Sequence, residues 1–596
     1  MSPRAVPFSL PMSLLGLLYA GLGARLVYLQ GIRGPELAAR AERMCRGVEH
    51  TATPRGRILD RTGRVLALSV PVSALEAAPR ETRIADRRDP GRIASLLAPA
   101  LGAPEEDLRR KLSGDRPYRL VARDVSQERR ESVERLLAQH RIVGLRFVES
   151  CVRAYPQGEI LGHVVGHVDR DGTGQSGVER RFDPFLRGEA GRRSYQRLLP
   201  NPPGASRGIA PPDGETLAEP GADLVLTVDA AIGAFAAEEL GRVAETFAPA
   251  CALAIVLDPR DGAVLALECL PRFDPNRSEE YAPPFAEMLN RAVSWTFSPG
   301  SAFKPFVYAA GIEEGIFAPD ETFSCGGGEA AFGRRTVRDH EPMGALTARD
   351  VLARSSNIGM ARIGLRLGID RMERWVRRFG FGRATGIELP GEREGVVHPR
   401  ASWTECYSLV SVSFGYELTT TPIRLAASFC ALANGGYLVR PTLLASAAGR
   451  TPEREGARPL LSPRTRAIVL DALEEVVRAG TGKKIRSERV AIAGKTGTTV
   501  KDPAVKTGPG KRYTSTFVGF APAEDPAALV LLLVDEPRGG KYYASDVAAP
   551  YAGRLLERTL AYLERIPPVL TVAGEGTVRA DVRLLPSPAS GPGAVQ

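Results

Sequence analysis

The sequence predicts an α+β protein of several domains, and three observations carry that reading. First, strand-like runs at Cys251 to Leu257, Ala263 to Leu270, Val490 to Thr499, Ser515 to Ala521 and Ala528 to Val534 enclose a mainly helical stretch from Lys304 to about Arg440. Strands at both ends of a helical middle imply a sheet with helices on its faces. Second, Val6 to Ala24 carries no charge, whereas the chain around it is rich in arginine. Third, prolines and glycines cluster between Asn201 and Gly221, which reads as a linker in a chain whose 596 residues suggest two to four domains.

The N-terminal run of 19 uncharged residues gives about 28 Å of helix, close to the thickness of a bilayer core. Leu26 to Gln30 extends it past Arg25, so residues 8–30 are expected to form a transmembrane anchor after a short cytoplasmic segment, 1–7. A cleaved signal peptide is the rival reading, but no convincing small-X-small site follows the apolar run. Residues 31–215 mix short alternating strands with charged helices such as Ser126 to Gln139 and hold no catalytic cluster, as expected of a scaffold. Within them His163 and His167 suggest a metal pair, yet no third ligand stands nearby, so both are read as structural and no metal is expected.

Beyond the linker, Asp223 to Asp229 alternates like a strand and an alanine-rich helix follows to about Ala244. The turn Asp258-Pro259-Arg260-Asp261-Gly262 then joins two apolar runs into a hairpin. Cys251 and Cys269 fall nearly opposite each other across it. With 7 cysteines in the chain, an odd count, free buried thiols are preferred to a disulfide there. The tail, residues 566–596, ends in a run of prolines and small residues and is expected to be disordered. A net charge of +10 follows from the arginine-rich composition, and no interleaving of basic and aromatic residues points to nucleic acid.

The chemistry centres on Phe297-Ser298-Pro299-Gly300-Ser301-Ala302-Phe303-Lys304-Pro305-Phe306. Pro299 and Gly300 form a turn, and the apolar run from Phe303 to Ala310 suits a buried helix whose first turn would hold Ser301. Residues three apart share a helix face, so the Lys304 amine can reach the Ser301 oxygen. A lysine takes a serine's proton only when neutral, so burial or another cation must lower its pKa from about 10.4. Two further pieces fit that demand. Ser355-Ser356-Asn357 is the one Ser-X-Asn in the chain, offering a hydroxyl and an amide that shuttle a proton and hold a substrate amide. Lys495-Thr496-Gly497 follows an alternating run and leads on through Thr498, as an edge strand able to bind a substrate carboxylate, with Gly497 letting a peptide approach. The second such tripeptide, Lys506-Thr507-Gly508, lies among prolines and glycines and reads as a loop.

The order Ser301-X-X-Lys304, Ser355-X-Asn357, Lys495-Thr496-Gly497 resembles that of penicillin-binding proteins and serine β-lactamases. The chain is most similar to class B penicillin-binding proteins, and within them to the septal, cell-division type. Pro54 to Gly63, Arg153-Ala154-Tyr155-Pro156 and Gly177-Val178-Glu179 resemble signatures of that family's non-catalytic N-terminal module. Ser413-Phe414-Gly415-Tyr416, Thr516 to Pro522 and Gly540-Lys541-Tyr542-Tyr543 are similar to its septal pattern, and the likeness covers roughly residues 10 to 560. Departures are Ser298 where glutamate is usual, Glu417 where glycine is common, and Ala544 and Ser545 in place of paired glycines.

The resemblance implies a pedestal module over residues 31–215 and a penicillin-recognising transpeptidase domain over 222–565, with an antiparallel sheet flanked by helices. It implies a D,D-transpeptidase that crosslinks peptidoglycan stem peptides without a cofactor and is acylated by β-lactams. Ser301 would be the nucleophile and Lys304 its base. Ser355 and Asn357 would pass protons and orient the amide, the backbone of Ser301 and Thr498 would hold the oxyanion, and Lys495, Thr496 and Thr498 would face the carboxylate. Glu105-Glu106-Asp107-Leu108 does not continue into a glycosyltransferase motif, so a separate lipid II polymerase and division-machinery membrane proteins are the implied partners. The catalytic domain would lie outside the inner membrane, although Arg25, Arg33, Arg40, Arg43 and Arg46 follow the span and only Arg4 precedes it, against the positive-inside rule. Alternatives are an elongation-type class B enzyme, a β-lactamase, a carboxypeptidase, or a non-catalytic penicillin-binding receptor.

Overall fold

A computed structural model describes residues 9–37, 46–51, 53–85, 87–114, 118–189, 191–196, 219–281, 286–451, 458–485, 487–501 and 511–565. The expected cytoplasmic segment, most of the Asn201 to Gly221 linker, the second Lys-Thr-Gly and the tail 566–596 lie outside the described residues. Near the N-terminus, Met12–Ile32 forms 21 helical residues of mean hydropathy 1.5, none of them buried. At 1.5 Å per residue that is about 31 Å, long and apolar enough to cross a bilayer.

The chain forms two compact units that interleave along the sequence instead of meeting at one boundary near residue 215. The first comprises Met1–Pro54, Val70–Val152 and Gly188–Gly221. Its helices Pro90–Leu101, Glu105–Leu112 and Gln127–Gln139 bury Leu97, Leu108 and Val133 with Leu75 and Val121 in one apolar core. Ser126 is the cap of the third helix, not its first residue, because its hydroxyl accepts from the Arg129 N–H.

The second unit gathers Arg55–Ser69, Arg153–Arg187 and Ala222–Gln596. Residues from the N-terminal signatures therefore pack with the C-terminal half. The Arg55 and Arg153 guanidiniums donate to opposite oxygens of Glu179, at 2.6 and 2.7 Å, and Arg55 also reaches Asp183 at 2.7 Å. Glu179 is fully buried. A buried carboxylate is tolerated only where such partners replace its water.

The sheet of this unit has five antiparallel strands: β1 (Cys251–Leu257), β2 (Val264–Leu270), β3 (Ala493–Val500), β4 (Tyr513–Ala521) and β5 (Ala528–Asp535). Their spatial order is β2-β1-β5-β4-β3, which leaves β3 at an edge. Leu253, Ile255 and Leu257 of β1 face one core and Ala252, Ala254 and Val256 the other. Both faces are covered, so these strands read as continuous apolar runs where a half-exposed strand would alternate.

On one face lie α1 (Ala230–Phe247) and α6 (Ala549–Arg565). On the other lie α2 (Lys304–Glu313), α3 (Asn357–Leu367), α4 (Pro422–Ala433) and α5 (Pro463–Arg478). Phe306 of α2 sits edge-on to Phe379, Phe381 and Phe429, with centroids 5.0 to 5.2 Å away. Burial of one such ring contributes about 2–3 kcal/mol, and the cluster fixes α2 against the helical layer. Cys251 and Cys269 are both buried free thiols, and the register sets Cys269 opposite Leu253, two residues from Cys251.

Candidate active site

The turn that carries Ser301 is a 3₁₀ segment, Gly300–Phe303, and Lys304 opens α2 behind it. Ser301 thus precedes the α-helix, a correction to the expected first turn. The tighter winding still keeps residues i and i+3 in line, and Pro305 sits within the first turn, where it costs no hydrogen bond. Gly300 has φ +52°, and a Cβ there would lie 2.2 Å from Thr499 Cγ2. Its N–H donates to the Gly415 carbonyl at 3.1 Å. Gly415, at φ +84°, would in turn push a Cβ to 2.1 Å from the Gly300 carbonyl oxygen. The Ser-Phe-Gly-Tyr loop and the turn that carries Ser301 therefore meet backbone to backbone.

Gly497 has a packing role besides the one expected of it: a Cβ on this residue would lie 3.0 Å from the Pro299 oxygen and 3.1 Å from the Ala302 nitrogen, so the missing side chain lets β3 close on the 3₁₀ turn.

Lys304 is fully buried. Its amine donates to the Ser355 carbonyl at 2.6 Å, the Ser355 hydroxyl at 3.1 Å and Asn357 Oδ1 at 2.8 Å. Burial first, and then the charge of Lys495, hold its pKa well below the ordinary lysine value, with Asp339 opposing. Lys495, also fully buried, donates to the Thr496 carbonyl at 3.0 Å, and burial lowers its pKa to about 7. The charge of Lys495 is thus felt at Lys304, as the sequence reading allowed.

Ser355 reaches this position at φ +61°, a left-handed conformation that costs a non-glycine residue of order 1–2 kcal/mol. The conformation turns both its carbonyl and its hydroxyl onto Lys304. Ser356 caps α3, accepting from the Gly359 N–H at 2.9 Å and donating to Asp339 Oδ2 at 2.6 Å. Asp339 Oδ1 accepts from the N–H groups of Asn357 and Ile358, so a carboxylate sits at the positive end of α3. Asn357, whose Nδ2 donates to the Arg338 carbonyl at 3.0 Å, is thereby fixed from both sides.

Ser301, Ser355, Asn357, Thr496 and Thr498 all line one cleft of about 540 Å³. Lys304 and Lys495 stay out of solvent behind them. The Thr496 hydroxyl shares a 2.6 Å hydrogen bond with that of Thr481, and Thr498 Oγ1 accepts from the Ala544 N–H at 2.9 Å. Glu417, where glycine was expected, has φ +60°, which explains why that position favours glycine.

Sequence reasoning missed Asp339, which orders the Ser355–Asn357 segment, and Thr481, which holds Thr496. A Gly480-Thr481-Gly482 triplet was the available signal for the second; the first had none. His163 bonds the Glu287 carbonyl at 2.7 Å and His167 the Ser176 hydroxyl at 2.8 Å, each beside Phe273. Among the described residues no group of three or more possible ligands converges on a metal site.

Comparison with known proteins divides the chain in sequence order. Residues 252–557 match the penicillin binding protein transpeptidase domain and residues 50–217 the penicillin-binding protein dimerisation domain. The chain is 29% identical to peptidoglycan D,D-transpeptidase FtsI of Escherichia coli (strain K12), covering 96% of this chain and 95% of that one. It is 31% identical to the probable peptidoglycan D,D-transpeptidase PbpC of Pseudomonas aeruginosa, over 95% of this chain and 96% of the relative. Its fold is shared with penicillin binding protein 2X of Streptococcus thermophilus, at TM-score 0.71 and 21% identity over 86% of this chain and 80% of the other.

Proposed function

Since the chain belongs to the class B penicillin-binding proteins, a dimerisation domain joined to a transpeptidase domain, we propose that it crosslinks peptidoglycan stem peptides during septal wall synthesis through an acyl-enzyme on Ser301. It is a serine-type D,D-transpeptidase, and the donor is a stem peptide ending in D-alanyl-D-alanine. The observation that carries the mechanism is the pair of buried amines. Lys304, depressed by burial and by Lys495, gives up its proton far more readily than an ordinary lysine. A neutral amine keeps two N–H bonds, for the Ser355 carbonyl and Asn357, and has its lone pair left for the hydroxyl of Ser301, three residues before it.

Ser301 Oγ then attacks the carbonyl between the two D-alanines while Lys304 takes its proton. The oxyanion is held by the backbone N–H groups of Ser301 and Thr498, a pairing supported by the close fit of Gly497 against the nucleophile turn. The Lys304 proton leaves with D-alanine by way of Ser355. Thr496, steadied by Thr481, and Thr498 receive the donor carboxylate beside the charge of Lys495, and Asn357 orients the donor amide. The free edge of β3 offers the peptide backbone a ladder to join. β-Lactams acylate Ser301 by the same route.

The protein is membrane-anchored by its N-terminal apolar helix. The catalytic unit works outside the cytoplasmic membrane, where its substrate is, beside a lipid II polymerase of the division machinery that supplies the glycan strands. Co-purification with such a polymerase, lost when Met12–Ile32 is replaced by an unrelated span, tests that partnership. The test of the chemistry is intact-mass spectrometry of the full chain in detergent with benzylpenicillin, beside Ser301→Ala. A lasting single adduct that the substitution abolishes is the expected result. No adduct on the wild type overturns the mechanism at its first step, and an adduct that clears quickly marks a β-lactamase. Mid-cell localisation of a fluorescent fusion is expected of the septal role; a lateral distribution assigns elongation.

A further inference from the structure

Acylation uses Ser301, Lys304, Ser355, Asn357 and Lys495, and gives no task to two neighbouring titratable groups on the cleft wall, His340 and Glu341. Among the described residues lining the cleft, His340 is the one imidazole and Glu341 the one carboxylate. They stand on the turn between strands Arg335–Arg338 and Ala345–Thr347. That turn is pinned. Asp339 is tied to the start of α3, its N–H donates to the Gly328 carbonyl at 3.0 Å, and the Gly327 N–H donates to the Met343 carbonyl at 2.9 Å. Yet the side chains of His340 and Glu341 remain 41% and 54% exposed, with the imidazole Nε2 3.8 Å from Glu341 Oε1. A rigid turn thus presents a base and an acid to solvent at the mouth of the site.

The second half-reaction creates a need for both. The acceptor is an amine that arrives as an ammonium ion with a pKa of about 10.4, so at neutral pH roughly one molecule in 10³ is nucleophilic. The other charged residues on the cleft wall are cations, Arg354, Lys483 and Lys484, and they repel it; of these Lys484 is already paired with Asp546. Lys304 cannot supply both deprotonations, because it must return one proton to Ser301 when the ester opens.

We propose that His340 and Glu341 form the acceptor site, Glu341 drawing in the ammonium of a neighbouring stem peptide and His340 taking its first proton. This rests on the transpeptidase reading of the same cleft. The protons balance. His340 accepts one from R–NH₃⁺; the neutral amine nitrogen attacks the ester carbon; and the new C–N bond forms as the C–O bond to Ser301 breaks. The second proton passes from the attacking nitrogen to Lys304 and on to Ser301 Oγ, and His340 releases its proton to water. Burial and the charges of Lys304 and Lys495 hold its pKa below the ordinary histidine value, against the opposing pull of Glu341 and Asp339, so the imidazole is a free base but a weaker one than the amine; the uphill transfer is drawn forward as the neutral amine is consumed by attack and His340 passes its proton to water.

The test uses the full-length protein in detergent with an N-acyl-D-alanyl thioester as donor and Nα-acetyl-L-lysine amide as acceptor. Chromatography gives the ratio of amide to acid product across pH, and the benzylpenicillin adduct gives acylation separately. His340→Gln is expected to cut the amide-to-acid ratio by roughly 10²-fold, far more than it slows acylation, and to move the acid limb of aminolysis toward the pKa of the amine itself. Glu341→Gln is expected to raise the KM for the amine with little change in kcat. An unchanged ratio and limb in His340→Gln overturn the inference, as do a parallel loss of acylation and a wild type that is acylated yet yields acid alone. A wild type that is never acylated overturns the proposed function instead.

Discussion

Gly300→Ala tests whether backbone packing sets the aim of Ser301. The added Cβ would lie 2.2 Å from Thr499 Cγ2, where carbon atoms rest at about 3.5–4.0 Å, so something must move by more than an ångström. Thr499 is buried in β3 and has little room to yield. Overpacking of this kind costs about 1–3 kcal/mol, and alanine at φ +52° adds about 1–2 kcal/mol. If the turn shifts to relieve the overlap, a displacement of about 1 Å lowers the acylation rate roughly 10²-fold. The assay is the second-order rate constant for benzylpenicillin acylation, followed by intact mass. Thr499→Ser removes the obstructing methyl, so the double variant recovers the steric share, roughly 10-fold of that loss, and keeps the strain from φ. Wild-type acylation by Gly300→Ala refutes the reasoning, and so does a double variant no faster than the single one.

Four further outcomes are expected. Lys495→Met removes the cation that helps depress Lys304, so the acid limb of acylation moves to higher pH; a limb that stays or moves down contradicts the coupling. Lys495 itself is lowered to about 7, so between pH 7 and 10 the unfolded chain holds a proton that the folded one lacks. Its contribution to stability therefore rises with pH across that window, by up to about 5 kcal/mol, and below pH 7 the cost of the buried ammonium is fully present. Denaturant midpoints at pH 6 and 9 should climb more steeply for the wild type than for Lys495→Met; equal slopes sink the claim. Glu179→Gln takes the carboxylate charge from Arg153 and leaves Arg55 only Asp183, and is expected to cost about 3–5 kcal/mol, read as a lowered Tm, with a loss under 1 kcal/mol counting against the network. Glu417→Gly relieves a left-handed residue and is expected to stabilise by about 0.5–1 kcal/mol; a lower Tm refutes that.

The sequence made the local part of the site legible. Ser301 and Lys304 sit three residues apart, the hairpin of β1 and β2 is announced by its turn, and the tripeptides around Asn357 and Lys495 name their own chemistry. What stayed hidden depends on the tertiary arrangement. Ser355 adopts φ +61° although nothing in a serine foretells it. Asp339 acts on α3 from a separate hairpin, and Thr481 meets Thr496 from the far end of α5. Gly497 was legible as a special residue, but not the direction it faces, because a missing side chain does not say which neighbour needs the space. The interleaving of the two units was equally invisible, since Arg55 and Arg153 reach Glu179 from 124 and 26 residues away along the chain.

The interlock of Gly300, Gly415 and Gly497 also bears on how this protein can evolve under an antibiotic. Nearly every substitution at those positions collides with backbone or a buried methyl, so the shape of the nucleophile turn has almost no viable neighbours in sequence space. Arg354, Lys483 and Ser545, on the rim of the same cleft, are not confined in this way. With Ser301 as the proposed nucleophile, variation that discriminates a drug from a stem peptide is expected on the rim, where selectivity can drift while the packing of the Ser301 turn stays fixed.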